Sequence, residues 1–108
     1  MQELSMSKDG KIRQYDMNGD SMMPMISRGD VMDVNTGKTN LIDGGIYLLS
    51  INGKEKTVRQ YRKTAAGSLF IPHNICGGYV PEFIPSGNEQ SVKIIGQVEM
   101  ISRCVAVD

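Results

Sequence analysis

The sequence predicts one mostly β domain, made of short antiparallel strands with one short helical turn. Turn-forming pairs such as Asn-Gly and Asp-Gly recur along its 108 residues. Between them lie segments of strand length that are rich in β-branched and alternating apolar residues. No window of helical length carries an apolar stripe, and a chain of this length supports one hydrophobic core rather than two.

The chain opens with the polar segment MQELSMSKDG, so residues 1–10 are interpreted as an arm or the stump of a missing N-terminal region. Residues 11–108 are assigned to the folded domain. Six strands are expected there, in the order KIRQYDM, DVMDVN, GIYLLSI, KTVRQYR, SLFIPH and VKIIGQVEMISR. SMMPMISRG, from Ser21 to Gly29, is the expected helical turn. The Asn-Gly pair at 52–53 predicts a tight hairpin turn, because it accepts positive φ angles.

Composition excludes several classes of function. Lys plus Arg and Asp plus Glu number 12 each, so the chain lacks the basic excess of a DNA-binding domain. The apolar runs are too short for a membrane span and the N-terminus lacks a signal-peptide core, which predicts a cytoplasmic protein with no membrane partner. Cys76 and Cys104 have no metal-ligand spacing and are expected to be reduced thiols. No metal, cofactor or small-molecule partner is predicted.

Ser21 lies in GDSMMPMISRGD, at a predicted junction between a strand and a turn. A serine there can act as a nucleophile if a base takes its proton and backbone N–H groups bind the oxyanion. Serine is also a favoured N-cap, so its position alone leaves a structural role open. His73 is the single histidine, and no motif links it to Ser21 and an acid. Asp20 and Asp30 each follow a glycine and are expected to cap backbone N–H groups.

Several motifs in order resemble the C-terminal peptidase domain of LexA, UmuD and the lambda-type phage repressors, whose core is shared by signal peptidases. They are GDSMMP at 19–24, GD at 29–30, DGGIY at 43–47 and the Asn at 74. The resemblance implies a LexA-like, signal-peptidase-like β fold with Ser21 as the nucleophile. It places Gly19 and Met22 at the groove and the oxyanion site. It also implies the self-cleaving domain of a phage-repressor or SOS-response transcription regulator, which contacts DNA only through an N-terminal domain absent from this chain.

The general base of the resembled family is a lysine, but the matching segment TVRQY has Arg59 at that position. A guanidinium stays protonated, so Arg59 can hold Ser21 by hydrogen bonds but cannot accept its proton. Lys56 is an alternative base if a bulge or one-residue slip changes its face, because alternate strand residues point in opposite directions. Lys63 shares the face of Arg59 but lies four residues farther along. The sequence therefore predicts an impaired Ser-Lys site.

The basic residues of this hairpin lack interleaved aromatics apart from Tyr61 and are interpreted as a solvated surface. The small-residue-Gly bond that this family cleaves does not occur before Ser21, and the dipeptides at 66–67 and 76–77 are interpreted as turns.

The segment VKIIGQVEMISRCVAV is more apolar than one buried face requires. By resemblance we expect it to form a homodimer contact, although a central strand buried on both faces also explains it. A UmuD-like DNA polymerase accessory subunit and a catalytically inert dimerisation module, with Ser21 as a cap, are the alternative functions.

Overall fold

The computed structural model describes residues 1–103, so Cys104 lies outside the described residues. These described residues form one antiparallel sheet in the order β1-β2-β3-β8-β4-β5-β6-β7. The strands are β1 Glu3–Met6, β2 Ile12–Asp16, β3 Val31–Asn35, β4 Ile46–Ile51, β5 Thr57–Thr64, β6 Gly67–Ile71, β7 Glu82–Pro85 and β8 Val92–Ser102. Two short 3-10 helices span Ile75–Gly77 and Glu89–Ser91. The predicted mostly β fold of antiparallel strands is confirmed.

Two clusters of buried apolar side chains form the core. The first joins strands β2 to β5 with the segment after β2, and comprises Tyr15, Met17, Met22, Ile26, Met32, Val34, Leu48 and Val58. The second comprises Tyr47, Leu49, Ile51, Tyr61, Phe70 and Ile84. Leu48 belongs to one cluster and its neighbours Tyr47 and Leu49 to the other, because successive strand residues point to opposite faces. Met22 and Ile26 are fully buried and anchor the segment that carries Ser21.

Two strands, β1 and β7, are not among those that the sequence predicts. β1 lies within residues 1–10, where the sequence predicts an arm or a stump, yet it pairs with β2 and leaves all four of its side chains exposed. β7 forms the opposite edge of the sheet beside β6. Glu3–Met6 therefore forms an edge strand rather than an arm, while the stump of a missing N-terminal region and the domain boundary after residue 10 stay predictions.

The expected helical turn from Ser21 to Gly29 is also corrected. Residues 21–25 form a non-helical turn with one helix-type hydrogen bond, from Ile26 N to Met22 O at 3.0 Å. Pro24 disfavours the α-helical conformation of Met23, the residue before it, and so interrupts a helix within this segment.

The hairpin between β4 and β5 contains the predicted turn and an additional bulge. Asn52 and Gly53 have φ angles of 54° and 72°, as the Asn-Gly pair predicts. Lys54 N donates to Ile51 O at 3.1 Å, whereas the next cross-strand pair joins Leu49 to Thr57. Ser50 therefore faces two residues, 55 and 56, which is the arrangement of a β-bulge. The bulge shifts the strand register by one just before Arg59.

β8 is central in the sheet, between β3 and β4, but it is not buried on both faces. Gly96 is its single fully buried residue. Met100 and Ile101, near its end, are 60% and 37% exposed. The alternative prediction of a central strand buried on both faces is thus correct about the central position and wrong about the burial. The homodimer contact stays a prediction.

Candidate functional site

Ser21 is held by the loop that follows β6. Its carbonyl accepts a hydrogen bond from Asn74 N at 2.9 Å. Asn74 Nδ2 donates to the carbonyl of Asp20 at 2.9 Å, and the Tyr79 hydroxyl donates to Asp20 Oδ1 at 2.5 Å. This last bond stabilises protonated Tyr79 and raises the pKa of its phenol. Asp20 therefore binds a tyrosine hydroxyl instead of capping a backbone N–H as expected.

Asp30 closes the other end of the serine-bearing segment. Its backbone carbonyl accepts from Met17 N at 2.8 Å, and its carboxylate accepts from Ser27 N at 2.8 Å, which is the expected capping contact. The bond from Ser27 lowers the pKa of Asp30, with burial opposing and Arg103 assisting. These contacts hold both ends of the segment and thereby fix Ser21 against the sheet.

Arg59 points from β5 directly at the serine. Its Nη1 donates to Ser21 Oγ at 2.9 Å, to Thr57 Oγ1 at 2.8 Å and to Val58 O at 2.7 Å. The structure thus brings together the two side chains that the sequence places at the nucleophile and base positions. Arg59 is 9% exposed and Ser21 is 6% exposed. Burial lowers the pKa of Arg59, while Glu82 and Tyr79 act in the opposite direction.

No proton acceptor reaches the Ser21 hydroxyl within residues 1–103. Its Oγ makes one hydrogen bond there, as acceptor from Arg59, so it does not cap a backbone N–H. Lys56 directs its Nζ over the Tyr15 ring, 5.6 Å from the centroid. His73 Nε2 lies 2.9 Å from Gln60 Oε1. A guanidinium that stays protonated can orient the serine and stabilise negative charge, but it leaves the serine without a base.

A groove of about 1310 Å³ contains both Ser21 and Arg59. Gly19 lines it as expected, and so does Lys56. Met22 does not wall the groove, because its side chain is fully buried in the first core cluster. The basic hairpin residues Lys54, Lys56 and Arg59 form part of the groove rather than a wholly solvated surface.

Sequence reasoning missed two contributors to the site. Thr57 lies two residues before Arg59, and strand periodicity alone places both side chains on one face. Tyr79 follows the 3-10 helix in an irregular loop, where neither periodicity nor a motif indicates its contact with Asp20.

Within the part of the chain that the structure describes, no helix has the length and apolar character that crossing a bilayer requires. Within residues 1–103, His, Cys, Asp and Glu side chains do not gather in threes as metal ligands do. Cys76 is exposed.

Fold and site together define an all-β domain in which Ser21, hydrogen-bonded to Arg59, lies in a groove large enough for a polypeptide segment. The family described as Peptidase S24-like matches residues 2–99, and the chain belongs to it. Repressor protein CI of Enterobacteria phage phi80 is 30% identical over 99 residues, which cover 91% of this chain and 40% of that protein. The chain therefore spans less than half the length of this relative. The resemblance to the LexA and phage-repressor peptidase domains is confirmed.

Proposed function

We propose that this chain is the C-terminal dimerisation domain of a phage-repressor or LexA-like transcription regulator whose self-cleavage site is impaired. Membership of the Peptidase S24-like family and similarity to a phage repressor support the regulator assignment. The impairment rests on one contact, the 2.9 Å hydrogen bond from Arg59 Nη1 to Ser21 Oγ. DNA binding belongs to an N-terminal domain outside this chain.

The first chemical step explains the impairment. Ser21 Oγ can attack a peptide carbonyl only when a neutral base takes its proton, while backbone N–H groups near Ser21 and Met22 bind the oxyanion. A lysine in a buried position can supply that base because burial lowers its pKa. An arginine guanidinium stays protonated at neutral pH even where burial lowers its pKa, as it does for Arg59. Arg59 therefore keeps the geometry of the site and removes its base.

Cleavage is tested on the natural chain with its N-terminal region. Incubation from pH 7 to pH 10 is followed by gel electrophoresis and intact-mass measurement, with Ser21→Ala as the matched control. We expect both proteins to stay intact. A fragment that forms in the wild type and disappears in Ser21→Ala would overturn the impairment, and its further loss in Lys56→Met would identify Lys56 as the base.

The exposed end of β8 supports the dimer. Met100 and Ile101 place two apolar side chains at the surface, where a two-fold contact would cover them. In sedimentation equilibrium we expect wild-type dimers that Met100→Lys weakens. Phe83→Lys is the matched control, since Phe83 is 46% exposed but lies on β7 at the far edge of the sheet. A monomeric wild type, or equal weakening by both substitutions, contradicts this dimer contact.

The two alternatives are separated by simple observations. A helix-turn-helix upstream in the natural chain excludes the UmuD-like polymerase accessory role. If the chain is an inert dimerisation module, Ser21 should cap a backbone N–H, whereas within the described residues its hydroxyl accepts a hydrogen bond from the buried Arg59.

A further inference from the structure

Arg59 is a buried cation without an ion pair among the described residues. The ion pairs of residues 1–103 are Arg13–Glu3, Lys38–Glu99 and Arg103–Asp30. The hydrogen bonds of the guanidinium within these residues all come from Nη1, and its Nε is buried without an acceptor. Buried charges are normally paired, because removing a charge from water is unfavourable. Glu82 acts on Arg59 electrostatically but forms no ion pair with it among the described residues, so the guanidinium still lacks a directly bound anion.

The groove around Arg59 carries a local excess of positive charge. Its other lining cations are Arg13, Lys54, Lys56 and Lys93. Arg13 pairs with Glu3 at 3.4 Å, which leaves three lysines and Arg59 against the lining acids Glu55 and Glu82. Because the whole chain has zero formal net charge, this excess belongs to the groove and favours an anionic occupant.

The dimensions and aromatic content of the groove indicate the class of that occupant. Its volume of about 1310 Å³ exceeds the 300–1,000 Å³ or so that is usual for small-molecule pockets. Grooves for single-stranded nucleic acids offer exposed aromatic rings on which bases stack. Here Tyr15 is 2% exposed with Lys56 over its ring, so the half-buried ring of Tyr79 is the one lining aromatic left for a base, and successive bases would have no second ring. An acidic peptide fits these properties better than a nucleic acid.

We propose that the groove binds an acidic peptide segment of a partner protein, with one Asp or Glu carboxylate against Arg59 and Ser21. Guanidinium groups match carboxylates in shape and hydrogen-bonding geometry. Ser21 Oγ accepts from Arg59, so the serine's own hydrogen is free to donate to the same carboxylate. The groove lysines bind further acidic side chains of the segment. This role stands whether or not Ser21 cleaves a peptide.

The test titrates this chain with two peptides, by calorimetry and by NMR. The first is a ten-residue Gly, Ser and Glu peptide with four Glu and blocked ends, and the second has Gln in place of each Glu. We expect the Glu peptide to bind about tenfold or more tightly than the Gln peptide. Arg59→Gln should abolish this preference, whereas Arg62→Gln, an exposed arginine of the same strand, should keep it.

Three results overturn the proposal. The first is equal affinity of the wild type for both peptides, and the second is a preference for the Glu peptide that survives in folded Arg59→Gln. The third is an oligo-deoxythymidine that binds more tightly than the Glu peptide and loses this affinity in Arg59→Gln. If Arg59→Gln does not fold, Ser21→Ala is tested in its place, because this change keeps the cation and removes the hydroxyl donor of the serine. The preference for the Glu peptide should then fall by about threefold or more. An unchanged preference in folded Ser21→Ala is equally contradictory. The dimer and cleavage experiments are separate, so either proposal can fail alone.

Discussion

Arg59→Lys should restore nucleophilicity to Ser21. A lysine Nζ lies near the position of the arginine Cζ, about 1.3 Å short of Nη1, so it falls about 3–4 Å from Ser21 Oγ. Arg59 is 9% exposed, and burial of this kind lowers the pKa of a lysine from its ordinary value of about 10.4. The neutral fraction at pH 7 then rises above about 1 in 2,500, the fraction that an exposed lysine has. A positioned base contributes about 10²–10⁴ to a rate.

The assay measures covalent labelling of Ser21 by a fluorophosphonate, followed by intact-mass spectrometry from pH 6 to pH 10. We expect Arg59→Lys to label about 100-fold faster than the wild type at pH 8. The neutral amine is the active form, so the rate should rise with pH through the folded pKa of the lysine, with a midpoint below about 10.4. Wild-type labelling should lack this titration.

Two controls define the result. Arg59→Lys combined with Ser21→Ala should show no labelling, which assigns the modified atom. Arg62→Lys should label like the wild type, because Arg62 is exposed on the same strand. If folded Arg59→Lys labels no faster than the wild type at any pH, the side chain at 59 does not occupy the position of a base and the reasoning is refuted.

Three further predictions concern stability and titration. Asp30→Asn should lower the free energy of unfolding by about 1 kcal/mol at pH 7. The pKa of Asp30 is lowered from 3.8, so the stability that its carboxylate contributes is present above pH 3.8 and is lost as the pH falls through the pKa of the folded state. The urea unfolding curves of wild type and Asp30→Asn should therefore converge in acid. A separation between the curves that does not change with pH would contradict this. The Tyr79 phenol should ionise above its usual 10.0 in an absorbance titration, with Tyr79→Phe identifying its signal, and Asp20→Asn should bring its pKa back toward 10.0. Gly67→Ala should cost about 1–3 kcal/mol, because the new Cβ would lie 2.2 Å from Ile84 O, and an unchanged urea midpoint would refute this.

Each strand that the sequence predicted contains at least one buried residue. β2, β3 and β4 contain alternating or continuous apolar residues that fill the two core clusters, so their pattern follows directly from burial. β1 was missed because all four of its side chains are exposed, and an edge strand without a buried face has no periodic signal. β7 is only four residues long and ends at Pro85, a residue that argues against a strand unless the strand lies at an edge.

The sequence likewise predicts only part of the candidate site. Ser21 and Arg59 were paired from motifs in order along the chain, and their contact is observed. Strand parity predicts that Lys56 lies on the opposite face from Arg59. Lys56 extends over the ring of Tyr15, which packs in the same cluster as Val58, as parity predicts. The sequence could not show that the groove reaches Tyr15 and therefore includes Lys56. The contact between Asp20 and Tyr79 joins two loops that are distant in sequence, so only the folded sheet brings them together.

Substitutions at position 59 separate the two roles proposed for this groove. Lysine keeps the positive charge and adds a group that can become neutral, so Arg59→Lys should gain Ser21 reactivity and keep most of its preference for acidic peptides at pH values where the amine is charged. Because reactivity needs the neutral amine and carboxylate binding needs the ammonium, the two activities should change in opposite directions as the pH rises. Glutamine supplies neither form, so Arg59→Gln should lose the peptide preference without gaining reactivity. If reactivity and peptide preference rise and fall together across pH in Arg59→Lys, the carboxylate does not bind at the side chain of residue 59.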